Sequence, residues 1–204
     1  MPRTVDDQQH ERQRRHIAEG LWRLVARAGL EAVSLREVAA ESGVSMGRVQ
    51  HYFASKDEML LFGLRMAQER MGARIEQRLR DLDAEPRSED MLKAILDELL
   101  GEHPDTRQAL LVSVAFYGRG ASDPDIAAVL SDGDADIRRL AAAAVREAQD
   151  AGRASSALSP EREGDILLTL ATGFGVDVAL GQRTIDDARA TLTYALDRAL
   201  GHIA

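Results

Sequence analysis

The chain of 204 residues contains no cysteine, so disulfides, thiolate metal sites and thiol redox sensing are excluded. It also lacks any apolar run near the roughly 18 residues that a membrane-spanning helix needs, and its N-terminus has no apolar region typical of signal peptides. These absences are typical of a soluble protein in a reducing compartment with no membrane partner. We expect a cytoplasmic location.

Motifs for catalysis and cofactor binding are equally scarce. The five histidines are scattered, and none has the spacing of a metal site such as H-E-x-x-H. Gly173-Phe174-Gly175 resembles half of a phosphate-binding loop, but Val178 stands where the third glycine would be and no strand precedes it. We interpret the two glycines as close-packing positions in a helix. The sequence therefore predicts no metal, no cofactor and no enzymatic activity.

Apolar residues recur at spacings of three and four through most of the chain, and no alternating strand pattern stands out. This periodicity predicts an all-α fold of about nine helices, one of which continues from Asp123-Pro124 to about Gln149 with a bend at Gly133. The expected organisation is a small head, residues 1–54, and a larger helical body, residues 55–204. Residues that favour helix N-termini mark most of the starts: Ser34, Ser45, Ser55, Ser88, Asp123, Ser159 and Thr184.

The stretch from Ser34 to Lys56 predicts two short helices joined by a tight turn. A capping-box pattern opens the first helix at Ser34, Gly43 supplies the turn, and Ser45 precedes a second helix from Met46 to Phe53. This is the helix-turn-helix pattern, whose second helix enters the major groove of DNA. The alternative is a helical hairpin with a polar, solvated face.

The second helix of this motif has long and polar side chains on its outer face. Base edges are read by side-chain hydrogen bonds and methyl contacts, whereas contacts to phosphate position the protein without reading sequence. The predicted base readers are Arg36, Arg48, Gln50 and His51, and the predicted backbone contacts are Ser45, Tyr52 and Lys56. The full set of predicted DNA-binding residues is Ser34, Arg36, Ser45, Met46, Gly47, Arg48, Gln50, His51, Tyr52 and Lys56.

The charge of the chain restricts where DNA can bind. Residues 1–58 hold nine Lys or Arg and nine Asp or Glu, so the net charge of −8 comes from the rest of the chain. A segment without net charge can still bind DNA when its lysines and arginines cluster on one face. The acidic remainder would be repelled by phosphate, and we therefore expect contact with DNA only through the N-terminal part.

The run GVSMGRVQHYFASKDEML, residues 43–60, resembles the DNA-binding signature of TetR/AcrR-family transcriptional regulators, commonly G-V-S-x-G-x-L-Y-x-Y-F-x-S-K-x-x-L-L. Gln50 departs from it, because the family usually has a tyrosine there that contacts the DNA backbone; its role as phosphate anchor or base reader stays open. Ile17–Ala18, Ala28-Gly29 and the Leu35–Ala39 run also lie where the family has them. The matching residues are Gly43, Val44, Ser45, Gly47, Tyr52, Phe53, Ser55, Lys56 and Leu60.

The body contains apolar residues on helices that are expected to face one another, as in pockets between the helices of a bundle. The resemblance implies a ligand-sensing cavity in this region. These residues could equally be ordinary core. The candidates for the pocket are Phe62, Arg65, Met66, Met91, Ile95, Val114, Tyr117 and Phe174.

The last two predicted helices carry many apolar and small residues, a pattern that suits a two-fold four-helix interface. The alternative is that the same stripes complete the core of the monomer. The resemblance favours the interface, since the family typically dimerises through its two C-terminal helices. The predicted interface residues are Leu167, Leu170, Phe174, Val178, Leu192 and Leu196.

Together these features predict a homodimeric regulator of transcription, a repressor released from double-stranded operator DNA by a small-molecule effector. The first alternative is a helical protein–protein adaptor without sequence-specific DNA binding. The second is an enzyme that processes a small molecule. Binding to DNA in the presence of non-specific competitor separates the three.

Overall fold

The computed structural model describes residues 5–82 and 85–203, and all the regular structure in these ranges is helical, which confirms the all-α prediction. Residues 1–4 of the predicted head and Ala204 of the predicted body lie outside them. A short 3₁₀ turn, Leu30–Ala32, follows the first helix. The helices are α1 (Val5–Ala28), α2 (Leu35–Ser42), α3 (Met46–Tyr52), α4 (Lys56–Arg80), α5 (Ser88–Leu99), α6 (Pro104–Gly120), α7 (Pro124–Leu130), α8 (Asp134–Asp150), α9 (Pro160–Ala179) and α10 (Ile185–Leu200).

The described ranges contain ten α-helices, because the long helix predicted from Pro124 is two helices in the structure. Gly133 has φ of +81°, which a right-handed helix cannot accommodate. α7 ends before it, where the N–H and the hydroxyl of Ser131 both donate to the carbonyl of Ala127. The prediction of a continuous helix with a bend was therefore wrong at this glycine.

The described residues form two compact units, one ending at Glu69 and the other beginning at Arg70. The first unit thus includes the first half of α4, where Leu60 and Leu64 are buried. Its core is built by one face each of α1, α2 and α3. The functional division at residue 54 stays a prediction. Fully or almost fully buried side chains of this unit are Ile17, Leu21, Val38, Val49, Phe53 and Met59.

The second unit is held together by the packing of α5, α8, α9 and α10. Its core is rich in alanine, which lets neighbouring helices approach closely. Gly175 marks the close approach of α9 to α5, because a Cβ built on it would lie 2.1 Å from the carbonyl oxygen of Leu99 at the end of α5. The core includes Leu92, Leu96, Leu100, Ala141, Ala144, Val145, Ala148, Leu167, Ala171, Leu192, Leu196 and Leu200.

A buried carboxylate ties the second half of α4 to α5 and α6. The side chain of Glu98 is 1% exposed and receives two hydrogen bonds from Arg74, at 2.9 and 2.7 Å. The hydroxyl of Thr106 donates to the same oxygen at 2.9 Å, and Arg78 lies 3.5 Å from the other. Each polar group of the cluster has a partner, which is the condition under which a buried charge is tolerated.

Candidate nucleic-acid interface

The turn between α2 and α3 is fixed by local hydrogen bonds that its sequence dictates. The hydroxyl of Ser34 accepts from the N–H of Glu37 at 3.1 Å, and Ser45 accepts from the N–H of Arg48 at 3.2 Å. Both serines therefore cap their helices as predicted. Gly43 takes a left-handed conformation, φ 66°, and its N–H donates to the carbonyls that end α2.

Close packing holds α2 against α1. A Cβ built on Gly20 would lie 1.9 Å from the hydroxyl oxygen of Ser42, so only glycine fits there without a shift. Ser42 is buried, and its hydroxyl donates to the carbonyl of Ile17 at 3.4 Å. One ring nitrogen of His16 lies 2.9 Å from the Ser42 carbonyl oxygen. The first helix of the motif thus has a fixed support.

α3 has one buried and one exposed face. Val49 is fully buried, while Met46 is 46% exposed. Tyr52 and Lys56 are half-buried at the edge of this face. The structure therefore brings the predicted DNA-binding residues of α3 to one accessible surface. The residues exposed here and at the start of α2 are Ser34, Arg36, Ser45, Met46, Gly47, Arg48, Gln50 and His51.

The arginines of the first unit fall into two groups. Arg14, Arg15 and Arg23 form ion pairs with glutamates of α4, α1 and α2. Arg36 and Arg48, by contrast, have no hydrogen-bond or ion-pair partner for their guanidinium groups among the described residues. Arg12 of α1 and Arg65 of α4 are likewise exposed and without such a partner, so the unpaired arginines of the first unit lie on the helix-turn-helix and on these two helices.

Glu58 closes the turn that follows α3. One of its oxygens accepts from the backbone N–H of Ala54 at 2.8 Å, and the other accepts from Arg14 at 2.8 Å. The guanidinium group of Arg14 stacks on the rings of Phe53 and Phe62, 4.6 and 4.5 Å from their centroids. This cluster links α1, α3 and α4 and fixes the C-terminal end of α3.

His10 of α1 adds a residue to this surface that sequence reasoning missed. Its ring centroid lies 4.9 Å from that of Tyr52 and 6.4 Å from that of His51. The rings of His51 and Tyr52 are themselves 4.9 Å apart. No sequence signal identifies His10, because it joins the cluster only when α1 packs against α3.

Two family profiles match the chain. Residues 17–61 match the profile described as bacterial regulatory proteins, tetR family, and residues 86–201 match that of the BetI-type transcriptional repressor, C-terminal. The second match alone covers more than half of the chain. The chain belongs to the TetR family.

Individual relatives of this TetR-family chain agree with the profiles. The regulator PksA of Bacillus subtilis is 35% identical over 126 residues, which cover 60% of this chain and 58% of PksA. The regulator UidR of Escherichia coli K12 is 23% identical over 176 residues, 85% of this chain and 86% of UidR. The match to PksA thus spans less than two thirds of that protein.

Solved structures share the fold over nearly the whole chain. A putative transcriptional regulator from Saccharomonospora viridis in complex with choline is 24% identical, with a TM-score of 0.77 over 92% of this chain and 96% of that one. A regulator from Rhodococcus sp. Rha1 is 28% identical, with a TM-score of 0.69 over 93% and 95%. None of the helices in the described ranges of this TetR-family chain combines the length and apolarity needed to cross a bilayer.

The pocket candidates are spread over both units. The ring of Phe62 packs edge-on against that of Phe53 in the first unit, with centroids 5.5 Å apart. Met66 is 2% exposed there, while Arg65 is exposed. Met91 is exposed and Ile95 is half-buried. The guanidinium carbon of Arg183 lies over the ring of Phe174, 4.6 Å from its centroid.

Only Val114 and Tyr117 among these candidates line a cavity found in the second unit. This cavity lies between α6, α8 and α9 and has a volume of about 570 Å³. Sequence reasoning missed most of its lining, because the polar residues of α8 and α9 carry no motif. The lining residues are Val114, Tyr117, Asp134, Arg138, Leu168, Thr169, Thr172, Gly173, Val176 and Asp177.

The predicted interface residues lie mostly inside the second unit. Leu167, Leu192 and Leu196 are 0, 3 and 5% exposed and belong to its core. Leu170, Phe174 and Val178 are partly buried against the same core. The three leucines are thus part of the core of the single chain, and their place in a dimer interface stays a prediction. The large apolar side chains that remain exposed on and beside α9 and α10 are Ile166, Leu180, Tyr194 and Ile203.

Proposed function

We propose that this TetR-family chain is a transcriptional repressor that binds operator DNA and leaves it when a small molecule binds the body. The observation that carries the proposal is the pair of unpaired, exposed arginines, Arg36 and Arg48, on a capped helix-turn-helix. Unpaired guanidinium groups on a helix that fits the major groove are suited to reading guanine.

Within this proposal the exposed face of α3 contacts the base edges of the operator, and residues at the edges of this face contact the DNA backbone. Arg48 and Gln50 would contact base edges, and Arg36 would do so from α2. Tyr52 and Lys56, half-buried at the edge of the face, would contact phosphates. Ser45 would contribute through its exposed position at the N-terminus of α3, where backbone N–H groups also attract phosphate.

We further propose a homodimer formed through the outer faces of α9 and α10. These two helices pack against each other, and the large apolar side chains exposed on and beside them are Ile166, Leu180, Tyr194 and Ile203. Exposed apolar groups that cluster on one face are typical of protein interfaces. A two-fold dimer would present two recognition helices to half-sites about 34–36 Å apart, one turn of DNA.

The effector would act by binding one conformation of the dimer better than another. The second unit offers a cavity of about 570 Å³, a volume within the range of small-molecule sites. A structural neighbour of the same fold was solved with choline, which is in keeping with a small organic effector. The cavity is lined by residues 114–177, outside the predicted head. A ligand bound there would therefore change DNA affinity through a change of conformation and not through contact with the DNA-binding residues.

Selection of sequences from a random duplex library tests the DNA-binding proposal and identifies the operator at the same time. The wild-type chain should enrich a defined, roughly palindromic sequence and bind it at least about 10³-fold better than random DNA. Arg48→Ala should weaken binding to that sequence by about 1–3 kcal/mol while binding to random DNA changes less. Arg139→Ala, which removes the same charge from an exposed side chain of α8, is the matched control.

Two results would contradict the proposal. One is the absence of any enriched sequence, which would favour a helical adaptor. The other is an equal loss for Arg48→Ala and Arg139→Ala, which would remove Arg48 from the reading surface.

A further inference from the structure

Three aromatic rings meet where α1 packs against α3. The centroids of His10 and His51 both lie 4.9 Å from that of Tyr52, and they lie 6.4 Å from each other. These residues line a pocket of about 290 Å³ in the first unit, together with Asp7 and Gln9 of α1. Both histidines are exposed, so the pocket is accessible from solvent.

The ring nitrogens of the two histidines have no partner within the described part of the chain. Neither His10 nor His51 makes a side-chain hydrogen bond or an ion pair there. His16, by contrast, has a ring nitrogen 2.9 Å from the carbonyl oxygen of Ser42. His10 and His51 therefore keep their ring nitrogens for a ligand, and a protonated imidazole offers two N–H donors and a positive charge.

The pocket adjoins the surface that we propose to contact DNA. His51 and Tyr52 are the last two residues of α3, whose exposed face carries Arg48 and Gln50. Tyr52 is a predicted backbone contact, and both imidazole rings pack against its ring. A group that packs beside a backbone contact is suited to a phosphate, which favours phosphate over a base edge as the partner of His51.

Protonation reverses the charge of this pocket. Asp7 is the one acidic residue of its lining. When both imidazoles are neutral, the lining has one net negative charge and repels phosphate. When both are protonated, two imidazolium groups and one carboxylate leave one net positive charge, which attracts phosphate.

Histidine ordinarily changes charge between pH 5 and 8, and an anion within hydrogen-bond reach favours its charged form. Binding of phosphate and uptake of protons by this pocket would therefore favour each other. The nearest guanidinium group on α1, that of Arg14, is paired with Glu58 at 2.8 Å. The other charged groups on the adjoining turns are Asp7, Glu11, Arg12 and Arg15 on α1, Arg48 on α3, and Lys56 and Asp57 on α4.

We propose that His10 and His51 together hold a phosphate of the DNA backbone, and that DNA binding by this chain is coupled to the uptake of protons by the two rings. His10 is thereby a DNA contact that lies outside the helix-turn-helix. DNA binding tightens as pH falls, because both imidazoles then carry charge, and it weakens as pH rises. The ligand assigned to the pocket rests on the proposed function, whereas the dependence on pH does not require that the chain reads sequence.

Fluorescence anisotropy tests the coupling on the full chain, with two labelled duplexes: one of random sequence and the operator obtained by selection. Binding is measured between about pH 6 and pH 8 at constant ionic strength. The dissociation constant of the wild-type chain should rise at least about tenfold over this range on both duplexes. The slope of log affinity against log salt should be steeper by about one to two units at the lower pH, because each imidazolium group neutralises a phosphate charge.

Variants assign the effect to the pair. His10→Gln and His51→Gln keep polar side chains that do not titrate, and each should remove about half of the logarithmic change, so that the double variant changes less than about twofold. His10→Lys fixes the charge and should bind DNA about threefold more tightly than wild type at the higher pH. His103→Gln is the matched control, since His103 is an exposed histidine of the second unit.

A purely structural role of the rings would lower DNA binding at every pH, and lysine at position 10 would not relieve the loss. That result would overturn the proposal. A flat pH profile for the wild-type chain would overturn it as well, as would a double variant whose profile matches that of His103→Gln.

The two proposals fail separately. Selection of an operator by a chain whose DNA affinity does not change with pH would overturn the histidine pair and leave the repressor intact. A chain that selects no sequence, but binds the random duplex with the expected pH profile and variant pattern, would support the histidine pair and overturn the repressor.

Discussion

Replacing Gly175 by alanine puts a methyl group where α9 passes closest to α5. The added Cβ would lie 2.1 Å from the carbonyl oxygen of Leu99 and 3.0 Å from a methyl carbon of Leu110. A side chain could rotate away, but a backbone oxygen at the end of a helix cannot. Overpacking of this kind costs about 1–3 kcal/mol, occasionally more.

Gly173 offers the matched comparison within the same helix. It is exposed, and a Cβ built on it has no neighbouring atom within 4 Å. Alanine is favoured over glycine in a helix interior by about 1 kcal/mol. Gly173→Ala should therefore raise the free energy of unfolding by about 1 kcal/mol, and Gly175→Ala should lower it by about 1–3 kcal/mol.

Urea unfolding followed by circular dichroism measures both variants against the wild-type chain. A change of midpoint at constant slope reports stability directly. Stabilisation of the chain by both substitutions would refute the reasoning, because it would mean that α9 and α5 move apart at little cost. Equal destabilisation would mean that open space at Gly173 had been misjudged.

Two further predictions concern the second unit. Glu98→Ala should lower the free energy of unfolding by about 3 kcal/mol, since Arg74 loses its buried partner; a loss under about 1 kcal/mol in urea unfolding would contradict this. Leu180→Glu combined with Tyr194→Glu should make the chain sediment as a monomer with unchanged helix content, and a persisting dimer would exclude this face as the interface.

The features that sequence reasoning predicted well are those decided within a few residues. Ser34, Ser45 and Thr184 accept from the N–H three residues ahead, as their cap positions predict. Asp123 does so for the N–H groups of two following residues. Helix caps depend on the local chain, so the helical fold and the DNA-binding motif were accessible without the structure.

Predictions failed or stayed incomplete where a side chain bonds to a distant part of the chain instead of to its sequence neighbours. Ser88 was predicted to cap α5, but it is the first residue of the helix and its hydroxyl donates to Glu147 of α8 at 2.6 Å. The cap position falls on Arg87, whose N–H donates to Asp90 at 3.0 Å. A helix pattern alone cannot weigh such a tertiary hydrogen bond against a local one.

The same limitation explains the assignments in the body. An apolar stripe such as that of Leu192 and Leu196 predicts burial but not whether a second copy or the chain itself supplies the partner. Asp134 and Asp177 line the same cavity of the second unit, although they lie far apart in the chain. Only packing of α8 beside α9 makes them neighbours of one site.

The cluster of Arg14, Phe53 and Phe62 has a practical consequence for exchanging DNA-binding heads between regulators. A fusion joined at residue 54 would take Phe62 and Gly63 from a foreign protein, although Phe62 packs edge-on against Phe53 and Gly63 packs against Leu21 and Trp22. A crossover after Glu69 keeps the whole set of contacts with its own head, including the ion pair between Arg15 and Glu69. Chimeric repressors with new operators should therefore inherit the first half of α4 together with the recognition helix.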